Sequence, residues 1–162
     1  MCFFKFIDED GCVHYKHKVS DTDIICYKTV EARPGSDDYR SSLRGFKYEV
    51  GKTYTEDSVP MDLLEKLDML NDGVFHSYTE LEVDFLERLV CINERRRCLN
   101  STRYGPDGEL ILIMKCVIPA GTPYWVNPFC REYASTAIRP IEILDPSDDT
   151  LWQIRLIWRR DL

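Results

Sequence analysis

The sequence predicts an α+β domain, a mostly antiparallel sheet carrying two main helices. Three observations lead there. Alternating apolar and polar runs, the period of half-buried strands, recur through the first 55 residues, and strand-like runs return from 108 onward. Between them lie two stretches with apolar residues at helical spacing, interrupted by one short strand-like run. Turn signals (DEDG, PG, NDG, PAGT) punctuate the runs, and no internal repeat or linker intervenes. The 162 residues therefore read as a single domain, 1–162, long enough to bury a core.

Each element has its own signal. CFFKFI and CVHYKHKV alternate around DEDG, which predicts a β-hairpin over 2–19. DIICYKTVE, 23–31, is the next strand, and ARPGSDDYRSS after it is a polar loop containing Pro34 and Gly35. In RGFKYEVGKTYT, 44–55, Phe46, Tyr48 and Val50 alternate with Lys47 and Glu49, and Gly51 permits a turn or bulge before Tyr54. Pro60 opens the first helix. Met61, Leu64 and Leu67, with Leu63 and Leu70 beside them, fall at helical spacing, and Asn71, Asp72 and Gly73 end the run. GVFHSY is a strand. Thr79 and Glu82 then fit a capping box, the threonine oxygen accepting from the Glu82 amide while the carboxylate reaches back. The second helix, 80 to about 97, places Leu81, Phe85, Leu89 and Ile92 on one face. GELILIMKCVIP, 108–119, reads as a central strand buried on both faces. PAGT is a tight turn, and PYWVN is a strand whose Tyr124 and Trp125 face opposite sides. NPFCREYAS, 127–135, reads as irregular. AIRPIEIL and LWQIRLIW pair across DPSDDT as a terminal hairpin, with Trp152, Ile154, Leu156 and Trp158 on one face.

Charge and composition exclude several classes. A net charge of −7 offers duplex nucleic acid no global attraction, although a local pocket can still take a small anion. The apolar run in MCFFKFIDED is too short for a signal peptide, and nothing nears the ~18 apolar residues of a membrane span. The seven cysteines are odd in number and form no C-x-x-C pair, so they read as free thiols in a reducing cytoplasm. His14 and His17 stand an odd number apart on one strand and point to opposite faces, so no metal site is expected. The dinucleotide turn, the P-loop and the G-x-S-x-G elbow are absent. Arg95, Arg96 and Arg97, with Arg88 and Arg103 nearby, form the densest basic cluster. It suits either the negative end of a helix dipole or a phosphate.

The junction GVFHSYTELEVDFLERL, 73–89, places His76, Ser77 and Tyr78 where a strand meets a helix. His76 and Ser77 are candidates to contact a ribose or phosphate, and Tyr78 to stack a ring; internal hydrogen bonding and core packing are their plainer roles. Arg40 and Arg44, before the GFKYE phrase, are candidates for a phosphate clamp, with surface charge as the alternative.

Three resemblances bear on these residues. ICYK (25–28), RGFKYEVGKTY (44–54) and GVFHSYTELEVDF (73–85) together resemble an uncharacterised domain of phages, prophages and bacteria. Its members carry a short Y-K-G-like strand, then G-F-x-Y-E-x-G-K-x-Y, then G-F-H and a helix. KCVIPAGTPYWVN with EYASTAI, 115–138, is similar to a C-terminal element of small phage and Bacteroidetes proteins. The chain also resembles the ADP-ribosyltransferase fold. The resemblance is carried in order by Cys26-Tyr27-Lys28-Thr29, by Phe75-His76-Ser77-Tyr78-Thr79 and by Arg131-Glu132-Tyr133. It departs from that pattern in having Tyr27 and Lys28 in place of His-Gly or Arg-Gly, and no Q-x-E or E-x-E near its C-terminal end. The resemblance implies a nucleotide-shaped cleft.

The expected function is a small phage-type binding protein that captures a nucleotide-derived or other anionic ligand without a cofactor, as a homo-oligomer, to counter a host defence signal. Its expected contacts are Tyr27, Lys28, Arg40, Arg44, His76, Ser77 and Tyr78. The alternative implied by the resemblance to the ADP-ribosyltransferase fold is an ADP-ribosyltransferase using NAD. Glu132 would then be its catalytic carboxylate, polarising the nicotinamide ribose, and His76, Ser77 and Tyr78 would hold NAD. A protein–protein interaction module is the third expectation.

Overall fold

The most apolar run in the chain becomes its most buried strand: Ile113, Met114 and Cys116 of β9 (Leu110–Ile118) are wholly inaccessible. Burial on both faces explains why this run lacks the alternation seen elsewhere. The computed structural model describes residues 3–5, 10, 16–42, 44–99 and 108–148. Among them lie two helices and a large antiparallel sheet, an α+β fold. The chain forms two compact units, one from Met1–Lys28, Val50–Glu80 and Lys115–Ile141, the other from Thr29–Glu49, Leu81–Met114 and Glu142–Leu162.

The first unit holds β1 (Phe3–Phe4), β2 (Lys18–Val19), β6 (Tyr54–Thr55), α1 (Met61–Lys66), β7 (Met69–Leu70), β8 (Phe75–Tyr78), β10 (Pro123–Asn127) and β11 (Glu132–Ser135). It also holds parts of β3 (Ile24–Ala32), β9 and β12 (Ala137–Leu144), strands that continue into the second unit. The strand order is β2-β10-β11-β8-β3-β9-β12-β6, while β1 and β7 form a separate two-stranded sheet. Phe3, Leu64, Leu70, Val74, Trp125 and Ala134 make the core, with Val59 and Met61 packed against it.

Several boundaries differ from the sequence expectation, each for a traceable reason. Helical spacing extended α1 to Leu70, yet the helix stops at Lys66 and Leu67 is extended. Leu70 is buried instead as a strand residue, opposite Phe3. The helix end is closed from outside: the buried Lys5 ammonium donates to the carbonyls of Leu64 (2.7 Å) and Glu65 (3.0 Å). A cation at a helix C-terminus satisfies carbonyls that lack intrahelical donors. The face of Trp125 lies 5.4 Å from the same ammonium.

The expected hairpin over 2–19 is not formed by its described ends. Phe3 and Phe4 pair with Leu70 and Met69, whereas Lys18 and Val19 pair with Tyr124 and Pro123; most of the DEDG turn lies outside the described residues. In the run 44–55 the turn expected at Gly51 is present, with φ 89°, between β5 (Lys47–Tyr48) and β6. The stretch 127–135, expected to be irregular, contains β11. Asn127 makes this possible: its Oδ1 accepts from the amides of Phe129 (3.0 Å) and Cys130 (3.1 Å), and Arg131 takes the left-handed conformation before the strand begins. The second strand of the expected terminal hairpin, 151–158, lies outside the described residues.

The second unit holds β4 (Tyr39–Arg40), β5 and α2 (Val83–Leu99), with the remaining parts of β3, β9 and β12. β4 pairs with β3 (Glu31 opposite Arg40) and with β5 (Tyr39 opposite Tyr48). α2 begins at Val83, not at 80, with the Leu86 amide donating to the Glu82 carbonyl. The Thr79 amide, the second donor that a capping box would use, donates in the first unit to the Arg131 carbonyl (2.9 Å), extending the strand ladder past Tyr78. The buried stripe of α2 is Leu86, Leu89 and Asn93, with Arg96 three residues further on. Asn93 docks the helix on β9: its Nδ2 donates to the Ile111 carbonyl and its Oδ1 accepts from the Ile111 amide, both at 2.8 Å. One side chain thus imitates a neighbouring strand.

Candidate functional site

The second unit contains a cavity of about 710 Å³. Its first wall is the loop joining β3 to β4. Arg33-Pro34-Gly35-Ser36 closes as a tight turn: the Ser36 amide donates to the Arg33 carbonyl (3.0 Å), and Gly35 has φ 73°. Proline at the second position and a positive-φ glycine at the third define a type II turn, so the R-P-G-S order sets this geometry. The Asp38 amide then donates to Ser36 Oγ (3.1 Å), which leads the chain into β4. Arg33 and Tyr39 thereby line the cavity.

The opposite contributions come from α2 and β9. Arg96 donates to the Glu109 carbonyl (3.1 Å) and to Glu31 Oε1 (3.3 Å), fixing the last turn of α2 against both strands. Arg97, the next residue, lines the cavity, while Leu110 and Leu112 supply an apolar surface. Two carboxylates, Asp37 and Asp145, also reach it. Among the described residues no carboxylate pairs with Arg33 or Arg97. Their neighbours differ: Arg40 is held through Nε (3.0 Å) and Nη2 (2.9 Å) by Asp38 Oδ2, and Arg96 by Glu31. Hydrogen bonding to Arg40 holds the Asp38 carboxyl below its usual range.

The residues singled out in the sequence fall elsewhere. Arg40 and Arg44 sit about the β4–β5 turn, both exposed, and neither is among the lining residues. The other six lie in the first unit. Tyr27 stands opposite Tyr78 on adjacent strands, and Tyr78 opposite Glu132 on the next, so the three share one cross-strand row and one face. His76 shares that face two residues along β8, its ring 6.5 Å from Phe3. Ser77 and Lys28 belong to the other face, where buried Ser77 adjoins the Cys26 thiol, and the Lys28 ammonium donates to the His76 carbonyl. Burial pushes the Cys26 thiol up to about 11, against smaller opposing effects of Ser77 and Lys28. The His76, Ser77, Tyr78 triplet is therefore divided by strand alternation: Tyr27, Tyr78 and Glu132 form one row with His76 on the same face, while Lys28, from the other face, meets the His76 carbonyl. Nearby, Arg131 pairs with Glu80 at 3.2 Å.

Burial raises the Glu132 carboxyl above its ordinary value of 4.5, and it raises the Tyr78 phenol, which the Glu132 charge raises further. The folded chain thus holds the Glu132 proton more tightly than the unfolded chain. That contribution is complete below the unfolded value and is lost as pH climbs through the folded one. Glu132→Gln is expected to melt higher than wild type at pH 7, with the difference shrinking as the pH falls towards 4, followed by thermal denaturation at both ends. A constant difference across that range would remove Glu132 as its source.

Sequence reasoning missed Arg33, Tyr39 and the pairing of the 32–37 loop with Arg97. The signals were present: a proline–glycine turn directly after a strand, and a basic run at a helix end. Among the described residues, no group of three or more His, Cys, Asp or Glu side chains could hold a metal ion, and no helix is long and apolar enough to cross a membrane. In comparisons with known proteins the chain matches no family model, no curated protein and no solved structure.

Proposed function

We propose that the protein binds a small anionic ligand in the cavity of its second unit, with Arg33 and Arg97 as the anion contacts. The observation that supports this is the pair of guanidinium groups on the cavity lining with no carboxylate partner among the described residues, beside arginines that have one. A guanidinium presents a fixed fork of donors that suits phosphate or carboxylate oxygens. The cavity's volume lies within the range of small-molecule sites. Capture of a nucleotide-derived signal, the use expected from the sequence, is compatible with this chemistry.

Thermal shift and titration calorimetry with phosphate, AMP, ADP-ribose, NAD and cyclic nucleotides test the reading. Ligand at ~100 Kd is expected to stabilise by about 2.7 kcal/mol. Arg33→Ala and Arg97→Ala each weaken binding at least about ten-fold, the cost of a charge-assisted hydrogen bond, while their ligand-free melting points stay within about 2 °C of wild type. No response to any of these compounds, or affinities unchanged in both variants, would overturn the reading.

A second reading is supported by the row of Tyr27, Tyr78 and Glu132 in the first unit. Under it the protein transfers ADP-ribose from NAD, with Glu132 stabilising the positive charge that develops on the ribose. Labelled NAD incubated with protein and a bacterial lysate distinguishes the two: transfer lost in Glu132→Gln supports the enzyme, and absence of transfer by wild type removes it.

A further inference from the structure

We infer that the ligand of the second-unit cavity is a ribonucleoside monophosphate, recognised through its ribose hydroxyls as well as its phosphate. This rests on the anion-binding reading of the same cavity. It starts from the balance of charge on the lining. Arg33 and Arg97 bring two positive groups, and Asp37 and Asp145 bring two negative ones. A bare phosphate or a polyphosphate would gain from the first pair and be repelled by the second. The lining is matched by a ligand whose anionic end and hydrogen-bond donors are separate parts of one molecule.

Carboxylates are acceptors only when ionised, so Asp37 and Asp145 call for hydroxyl or amine donors on the ligand. Asp145 is held ready for this. Its Oδ1 accepts from the Ser147 amide (2.9 Å) and hydroxyl (2.6 Å), which fixes the plane of the carboxylate and leaves Oδ2 outside that turn. A ribose offers vicinal hydroxyls, and a carboxylate is the group that holds a ribose hydroxyl in dinucleotide-binding folds. Tyr39 provides an aromatic ring, and Leu110 and Leu112 an apolar surface, for a planar base. A free amino acid would also present an anion and a donor, but it has no use for an aromatic and aliphatic wall in a cavity of about 710 Å³.

The test uses the full chain and defined probes: the four common ribonucleoside monophosphates, their 2′-deoxy counterparts, ribose 5-phosphate, inorganic phosphate and a set of free amino acids, each titrated by calorimetry. The best ribonucleotide is expected to bind at least about ten-fold more tightly than its deoxy counterpart, the loss that follows when a polar site is left without its partner. Asp37→Asn or Asp145→Asn should reduce that ratio to near one for the carboxylate that holds the 2′-hydroxyl, while Arg97→Ala weakens ribo and deoxy forms alike. Equal binding of ribo and deoxy forms, still dependent on Arg33 and Arg97, would overturn this inference and leave the anion-binding reading standing. Binding of amino acids in preference to nucleotides would overturn it too. Failure of every anion to bind would remove both.

Discussion

Asn93→Leu is expected to destabilise the protein by about 2–4 kcal/mol, because it orphans a backbone amide and a backbone carbonyl together. The side chain is only 2% exposed, and both its polar atoms are committed to Ile111 at 2.8 Å. Leucine has nearly the same volume and continues the apolar stripe of Leu86 and Leu89, so a purely hydrophobic account of α2 predicts a neutral or stabilising change. The hydrogen-bond account predicts the opposite sign. For a chain of this length the loss corresponds to a fall in melting temperature of about 5–15 °C. Urea unfolding of wild type and variant would measure it, with an unchanged slope showing that the effect is on stability. A change smaller than about 0.5 kcal/mol, the range of ordinary surface substitutions, would mean that water replaces the amide at no cost.

Gly73→Ala is expected to cost about 3 kcal/mol, from two sources that can be separated. Gly73 has φ 73°, a conformation that costs an L-residue about 1–2 kcal/mol. A Cβ placed there would also lie 2.7 Å from Val59 Cβ and 2.8 Å from its Cγ2, atoms of a branched side chain packed against the first-unit core. Overpacking of this kind typically costs about 1–3 kcal/mol. Gly35 has the same φ, and a Cβ added to it meets nothing within 4 Å, so Gly35→Ala isolates the backbone cost at about 1 kcal/mol. The difference between the two variants measures the steric part. Equal losses would show that Val59 yields freely.

The α+β class and most strands were legible because their signals are local. Alternation placed β3 within one residue, the run around Ile113 marked the central strand, and PAGT with Gly121 formed the tight turn expected of it. What failed depended on partners distant in the chain. Leu64, Leu67 and Leu70 fit one helical face, but Phe3 offers Leu70 a strand partner, and Lys5 closes the helix about one turn early. Thr79 had the chemistry of a cap, yet Arg131, 52 positions later, claimed its amide (131 − 79). In α2 the apolar residues fit two adjacent stripes equally well. The deciding member was the polar Asn93, which a search for hydrophobic spacing passes over. The site showed the same pattern. Adjacency of β3, β8 and β11 united Tyr27, Tyr78 and Glu132, while alternation within β8 separated Ser77 from its neighbours. The cavity joined an early loop to a late helix turn, a link that no local motif encodes.

Both units are woven from three separated stretches of the polypeptide, and this has a consequence for how the protein is made. Phe3 leaves the ribosome more than a hundred residues before Trp125 and Ala134, the side chains against which it comes to rest. Until then its aromatic face, with Leu64 and Leu70, has no permanent cover, and nascent chains stalled before residue 125 are expected to be greasy substrates for chaperones and proteases. Nor can either unit be excised as a continuous fragment for expression on its own. A cut that spares one severs the other.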